Sequence, residues 1–221
     1  MGKILPRRPR GQPRGDQRLS TFLKNHAGAI LACDFFIAVT ATFRMLYVFV
    51  VIEHRTRRLV HVNVTPHPSA DWTLRQLREV VGDTDNRKYL LHDRDAIFAK
   101  HLDNSIRALG LKVLRSPVAS PKANSIFERV IGTIRRECLD WMIPTSEAHP
   151  RSIFREWVIH YNGGRPQSAL GPGVPDPPRK SAHVPKPESR HRLVPGALVR
   201  GNSVLGGLHH EYSLATTPAS A

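Results

Sequence analysis

Three carboxylates in this 221-residue chain stand where carboxylates are expensive. Asp34 sits between Cys33 and Phe35, inside the β-rich run Ile30–Val39. Strand interiors disfavour Asp, and a buried lone carboxylate needs a partner or a metal. The bland alternative is an Asp at a strand edge bonded to backbone. Asp93 follows Tyr89-Leu90-Leu91-His92, at the carboxyl end of a short strand, with Asp95 two residues on as its rival. Ligand-binding side chains of α/β sheets gather at such ends, although an Asx turn also fits, best at Asp95. Glu128 falls on a long amphipathic helix. At 100° per residue, Ile126, Phe127, Val130, Ile131, Ile134 and Cys138 share an arc of about 140°. Glu128 lies off that core face, on a stripe with Gly132 and Arg135. Gly132 is expected to leave the stripe bare to an incoming ligand, which would explain a mid-helix glycine costing about 1 kcal/mol. Taken alone, Glu128 reads better as a solvated acid paired with Arg129 or Arg135. Glu137, nearer the apolar edge, is a weaker ligand.

Oxygen-only ligand sets suit the hard ions Mg²⁺ and Mn²⁺. Two such ions about 3.5–4 Å apart activate an attacking hydroxyl and stabilise the leaving oxygen of a phosphodiester. The chain around these acids is strongly basic, with 33 Lys and Arg against 18 Asp and Glu and a formal charge of +15. Acids held in a basic chain point to chemistry on nucleic acid. The twelve histidines show no zinc-ligand spacing. Cys33 and Cys138 read as buried thiols, neither ligands nor nucleophiles, and two cysteines make no disulfide framework, so a reducing, cytoplasmic setting is expected. The longest apolar run, Met45 to Ile52, is far short of the roughly 20 residues of a spanning helix, so no membrane partner is expected. No apolar signal-peptide region follows the basic amino terminus.

The elements that must position these acids read as mixed α/β. Ile30–Val39, Phe43–Glu53 and Leu59–Thr65 form three strands, with an antiparallel meander expected. Ser69 and Asp71 cap a helix carrying Trp72, Leu74, Leu77 and Val81. Tyr89–Leu91 and Lys112–Leu114 are short strands, separated by a helix over Ile97–Leu109 closed at Gly110. Helices follow over about Asn124–Trp141 and Arg151–Tyr161. Trp72 and Trp157 read as core packing. Residues 1–28 carry seven Lys/Arg and one acid, Asp16, and include Pro6, Pro9 and Pro13; they read as a basic flexible arm. Residues 163–221 hold half of the 18 prolines and eight of the 15 glycines. They read as a mostly extended tail, in which Val204–Leu208 and His209–Tyr212 either dock as a short strand or stay loose. Residues 29–162 form the core between them.

At these residues the chain resembles the catalytic core of retroviral-type integrases and of the DDE transposases of bacterial insertion sequences. The resemblance rests on Ala32-Cys33-Asp34-Phe35, on His92-Asp93-Arg94-Asp95-Ala96-Ile97-Phe98, and on the run Ser120 to Arg129, which ends Phe127-Glu128-Arg129. The 34 residues between Asp93 and Glu128 match the family's D-x(~35)-E spacing. His160-Tyr161-Asn162, Arg165-Pro166 and Leu170 resemble its Y-N-x-x-R-P-H-x-x-L signature, with Gln167 in the histidine position. Asp95 replaces the glycine that commonly follows the second acid. The resemblance covers roughly residues 25–180. It implies an RNase H-like fold with a mixed five-stranded sheet, and Asp34, Asp93 and Glu128 as catalytic metal ligands. It also implies two Mg²⁺ or Mn²⁺ ions, metal-dependent 3′-end cleavage, and strand transfer into target DNA. Lys122 and Asn124 are implied as DNA contacts, with Asn124 as a plain helix N-cap the equal alternative. Arg129, Arg135 and Arg136 lie on or near the acidic helix and are expected on phosphates. The implied assembly is at least a dimer. About 30 residues before the first catalytic strand leave no room for a helix-turn-helix, so a separate chain or a truncated frame is expected. The rival functions are a metal-dependent nuclease of the same fold and a non-catalytic DNA-binding remnant.

Overall fold

A computed structural model describes residues 15–81, 86–93, 100–115, 121–177 and 197–216. Its centre is a five-stranded sheet in the order β3-β2-β1-β4-β5. The strands are β1 (Ile30–Val39), β2 (Met45–Glu53), β3 (Leu59–Thr65), β4 (Tyr89–His92) and β5 (Lys112–Arg115). β1, β2 and β3 pair antiparallel, as the expected meander. β4 joins β1 in parallel, and β5 joins β4 in parallel. This is the mixed sheet expected from the sequence. β2 starts two residues late because Phe43 adopts a left-handed φ of 58° in a turn closed by Thr40. The Thr40 hydroxyl accepts the Arg44 N–H at 3.0 Å.

Both faces of the sheet are covered, which is why β1 and β2 are apolar on alternate and intervening positions alike. Leu31, Cys33, Phe49, Val51 and Leu90 face α2 (Ala70–Val81) and α3 (Lys100–Ala108), against Leu77, Leu102 and Ile106. Trp72 packs at the edge of this layer, 6.0 Å from the Phe49 ring. Ser69 caps α2, its hydroxyl accepting the Trp72 N–H at 3.1 Å. The other face carries Ala32, Phe36, Val48, Val50 and Ile52 against α4 (Pro121–Glu137) and α5 (Ala148–Gly163). Phe127, Val130, Ile134 and Cys138 are buried there, with Ile126 and Ile131 at the edge. That is the arc read from the sequence. Trp157 is fully buried in this layer.

Other boundaries also differ from the sequence reading, among them the start of α5 at Ala148 and not about Arg151. Within the residues read as a flexible arm, 15–25 form a helix, α1 (Gly15–Asn25), and residues 1–14 lie outside the described part. Leu23 is buried and Phe22 meets the Tyr89 ring edge-on at 5.1 Å, so the helix is held by apolar burial despite its basic surroundings. α4 begins at Pro121, which suits a first helical position because it lacks an N–H to satisfy. Asn124 is therefore inside the helix and not its N-cap. α4 ends at Glu137; a 3-10 turn, Leu139–Trp141, follows, and the Trp141 indole donates to the Arg136 carbonyl at 2.7 Å.

Beyond a short extended segment, β6 (Ala169–Pro172), the tail forms a hairpin, β7 (Ala197–Val204) with β8 (His209–Thr216). It docks on α5 through polar ties invisible to hydrophobic patterning. His160 Nδ1 lies 2.8 Å from Glu211, His209 Nε2 donates to the Glu137 carbonyl at 2.6 Å, and Leu205 N–H donates to Glu156 at 2.5 Å. Gly164 lets the hairpin close on α5, since any Cβ there would run into the Glu211 carboxylate. No helix among the described residues is long and apolar enough to cross a membrane.

Candidate active site

The β1–β4 pairing carries the first two acids on neighbouring strands. Ile30, Leu31 and Ala32 pair with Tyr89, Leu90 and Leu91. Asp34 lies two residues beyond the last paired residue of β1, and Asp93 directly follows the end of β4 at His92. Side chains alternate along strands, so Asp34 shares the face of Ala32 and Phe36, which is the face covered by α4. Both acids are half-buried. Asp34 Oδ1 accepts the Phe35 N–H at 2.8 Å. Its charge adds to burial in holding the Cys33 thiol well above its ordinary range.

Asp93 is anchored from below by a network that sequence reasoning missed. His92 is buried, and its ring nitrogens face the Asp93 carbonyl at 2.6 Å and Asp103 Oδ1 at 3.1 Å. Both partners are acceptors, so the ring donates to each when it carries both protons. Asp103, 1% exposed on α3, takes the Arg115 guanidinium from β5 through Nε at 2.9 Å and through Nη2. Three elements thus fix the backbone of one candidate ligand. A detectable signal existed: Asp103 shares the inward arc of Leu102 and Ile106, where an acid demands a partner.

Glu128 is exposed on α4, and among the described residues it makes no ion pair with Arg129 or Arg135. The pairing that made a bland reading attractive is therefore not formed. Gly132 is not bare, because the Arg136 guanidinium lies over it, 3.0 Å from where a Cβ would stand. One helical turn separates the two positions, so a long side chain at 136 folds back over 132. Arg135 is already engaged, donating to the Ile37 carbonyl at 3.1 Å with its guanidinium 5.4 Å from the Phe36 ring centre. Glu137 is tied to Arg165 by two bonds of 2.6 and 2.5 Å, which accounts for it as a fastening between α4 and the segment after α5. Lys122 and Asn124 lie in the first turns of α4, with side chains outside the described residues. Asp95 also lies outside them.

Among the described residues, no group of three His, Cys, Asp or Glu side chains is close enough to hold an ion. The donor chemistry nevertheless suits a hard divalent cation: Asp34 on β1 and Asp93 after β4 are carboxylates on paired strands, and Glu128 lies on a helix that covers the same sheet. Cys33 and Cys138 are buried and unpaired with each other, and burial pushes the Cys138 thiol up to about 12.

A cleft on another side of α4 was also missed. It is lined by Arg57, Arg129, Arg136, Tyr161, Arg165 and Gln167, among others, and its volume is about 210 Å³. Its arginines come from a turn, a helix and a loop, so no local spacing announces it.

Comparison with known proteins gives the same direction. Residues 109–175 match the family described as "Integrase core domain". An uncharacterised 31.7 kDa protein of insertion element IS407 from Burkholderia multivorans is 25% identical over 170 residues. An uncharacterised 39.2 kDa protein of insertion element IS476 from Xanthomonas euvesicatoria is 24% identical over 172. Each alignment covers 76% of this chain, which spans only 61% and 49% of those two proteins. The catalytic core domain of BIV integrase superposes with a TM-score of 0.51 and 16% identity, over 67% of this chain and 91% of that one. A chain of a simian T-cell lymphotropic virus intasome, in complex with a PP2A regulatory subunit, superposes with a TM-score of 0.57 and 10% identity. That match covers 84% of this chain and 66% of the other. At such identities the structures establish a shared fold, and the sheet order and flanking helices are RNase H-like.

Proposed function

Taking the integrase-type core as its premise, we propose that this chain is the catalytic domain of a DNA transposase, cutting 3′ ends and joining them to target DNA. The observation that supports this reading is the parallel pairing of β1 with β4, the one strand carrying Asp34 and the other ending next to Asp93. Asp34, Asp93 and Glu128 would hold two Mg²⁺ or Mn²⁺ ions, whose chemistry would be to activate an attacking oxygen and stabilise a leaving one. The residues' own part is positional. The paired strands would carry Asp34 and Asp93 as two of the ligands, and the His92–Asp103–Arg115 network would steady the backbone of Asp93. Glu128 approaches from a helix whose opposite flank is buried. Lys122, Asn124, Arg129, Arg135 and Arg136 are assigned to DNA phosphates, which positions a duplex without reading its bases. Arg135 serves there only by leaving Ile37. Joining two element ends calls for at least a dimer, and the intasome relative supports an assembly of that kind. The site of action would be the cytoplasmic nucleoid.

The test is a Mg²⁺-dependent strand-transfer assay on candidate end sequences. Glu128→Gln is expected to lower product at least a thousandfold while duplex binding persists. Full transfer by that variant would remove Glu128 from the reaction. Cleavage without joined products in the wild-type chain would favour a nuclease of the same fold.

A further inference from the structure

The cleft beside Tyr161 combines a surplus of positive charge with a buried amide that has donor capacity to spare. Arg57 sits in the β2–β3 turn with a left-handed φ of 64°. The acid of that turn, Glu53, is already taken by Arg87 at 2.7 Å and Thr56 at 2.8 Å. Among the described residues, Arg57, Arg129 and Arg136 make no salt bridge. Arg165 is the exception, since Glu137 already neutralises it. Burial, and then the charge of Arg129, hold the Arg57 guanidinium below its ordinary value, as expected of cations crowded without a counter-ion. Gln167 is 8% exposed and lines the same cleft. It lies against the Tyr161 hydroxyl, yet its Nε2 has no partner of hydrogen-bond geometry. A buried amide held only by one poorly aligned contact with a tyrosine hydroxyl has donor capacity to spare.

We propose that this cleft is a binding site for a phosphate group, held by Arg57, Arg129 and Arg136 with Gln167 donating from its floor. The chemistry is that of a tetrahedral oxyanion: several acceptor oxygens against fork-shaped cations and one amide N–H. The cleft borders the helix stripe that carries Glu128. Arg129 and Arg136 lie about 80–100° round α4 from Glu128 at helical spacing, and the Arg136 guanidinium reaches back over Gly132 on that stripe. A phosphate here would therefore belong to a strand running alongside the Glu128 stripe, towards the segment after α5. The wall that supplies Gln167 and Arg165 is the segment after α5. The site stands on the cleft alone and does not require the carboxylates to be catalytic.

The full chain tests it in two arms. Wild type, Arg57→Gln/Arg136→Gln, and the control Arg75→Gln/Arg78→Gln on α2 are compared. The first arm follows duplex DNA binding by fluorescence anisotropy across a salt series. The cleft variant is expected to lower the slope of log affinity against log salt by about 1–2, one for each phosphate it no longer neutralises, and the control by less than half that. The second arm follows the thermal midpoint in inorganic phosphate against chloride at fixed ionic strength. Wild type and control are expected to gain, and the cleft variant to gain nothing. A changed slope identifies the backbone of nucleic acid as the source. A phosphate-dependent midpoint without a changed slope identifies a free phosphate. Cleft and control variants behaving alike in both arms would overturn the site. Gln167→Glu, which keeps the shape and puts a negative charge where the donor was, is expected to abolish the phosphate effect while its midpoint in chloride shows a folded chain. Retention of both effects in that variant would overturn the assignment of the floor. Both arms read binding and neither requires strand transfer, so failure of strand transfer and failure of this site are separate results.

Discussion

Two charged regions flank the sheet, and they are built on opposite terms. Under Asp93, His92, Asp103 and Arg115 answer one another completely, with Asp103 at 1% exposure. Beside Tyr161, Arg57, Arg129 and Arg136 crowd together without a single carboxylate partner among the described residues. Completed charge in a folded protein is architecture: it is costly to bury and costlier to break. Uncompleted charge in a cleft stores repulsion that only an incoming anion relieves. The same chemical vocabulary therefore does two jobs, and removing residues from each region should have opposite consequences.

The largest effect is expected at Asp103. Asp103→Ala leaves His92 and Arg115 facing an empty acceptor position and should cost about 3 kcal/mol, since breaking one half of a buried pair strands the other. Urea unfolding measures it. A loss below about 1 kcal/mol would mean that the network is decorative. Because His92 also holds the Asp93 carbonyl, the proposed strand transfer should fall in this variant even where the chain is fully folded. The fastening between Glu137 and Arg165 is smaller and half-exposed. Glu137→Gln keeps the shape and loses the charge, with an expected cost of about 1.5 kcal/mol for charge-assisted bonds. It also frees Arg165 to join the cleft, so phosphate binding should rise as stability falls.

How much of this contrast could be read from the chain depends on range. Asp34 and Asp93 stand out locally, because an acid inside or at the end of an apolar run is anomalous within ten residues, whereas Glu128 on the polar side of its helix stands out only through its spacing from Asp93. The order of elements along the chain was legible too: β1 and β2 are apolar at nearly every position, β3 alternates, and β4 and β5 are interleaved with helices. α1 carried a signal too, in Leu19, Phe22 and Leu23 at helical spacing, but arginine and proline around them dominated the composition. The hairpin was illegible because His160, His209, Glu137 and Glu211 join segments up to 72 residues apart through polar atoms. The cleft fails likewise. Arg136 was expected on phosphate and Gln167 stood out as a departure from the signature, but nothing local joins them to each other or to Arg57 until the fold brings them together.

A third comparison uses pH. His54, three residues from Arg57, is driven down to about 4 by burial, with the Arg57 charge second. An unfolded histidine titrates near 6.5. Between those values the unfolded chain takes up a proton that the folded one refuses, so stability rises with pH across that window. Above about 6.5 the contribution is fully present, and it is lost as pH falls towards 4. Thermal midpoints from pH 7 to 4 should therefore decline more steeply in wild type than in His54→Gln. Equal declines would place His54 in water.

The smallest effect expected is the one that separates the two regions most sharply. Arg57→Gln removes a charge that no acid answers and that Arg129 opposes, so it should leave stability in the absence of phosphate within about 0.5 kcal/mol of wild type, tending to a gain. It should also move the His54 titration up, because the second cause of that depression is gone while burial remains. Histidine resonances followed by NMR against pH report this directly. A destabilisation like that of Asp103→Ala would show that Arg57 is part of the architecture after all, and the division between completed and uncompleted charge would fail at the residue chosen to define it. A near-neutral stability with a raised His54 titration would instead show a cation kept in place by the turn that carries it and left unmatched for a ligand.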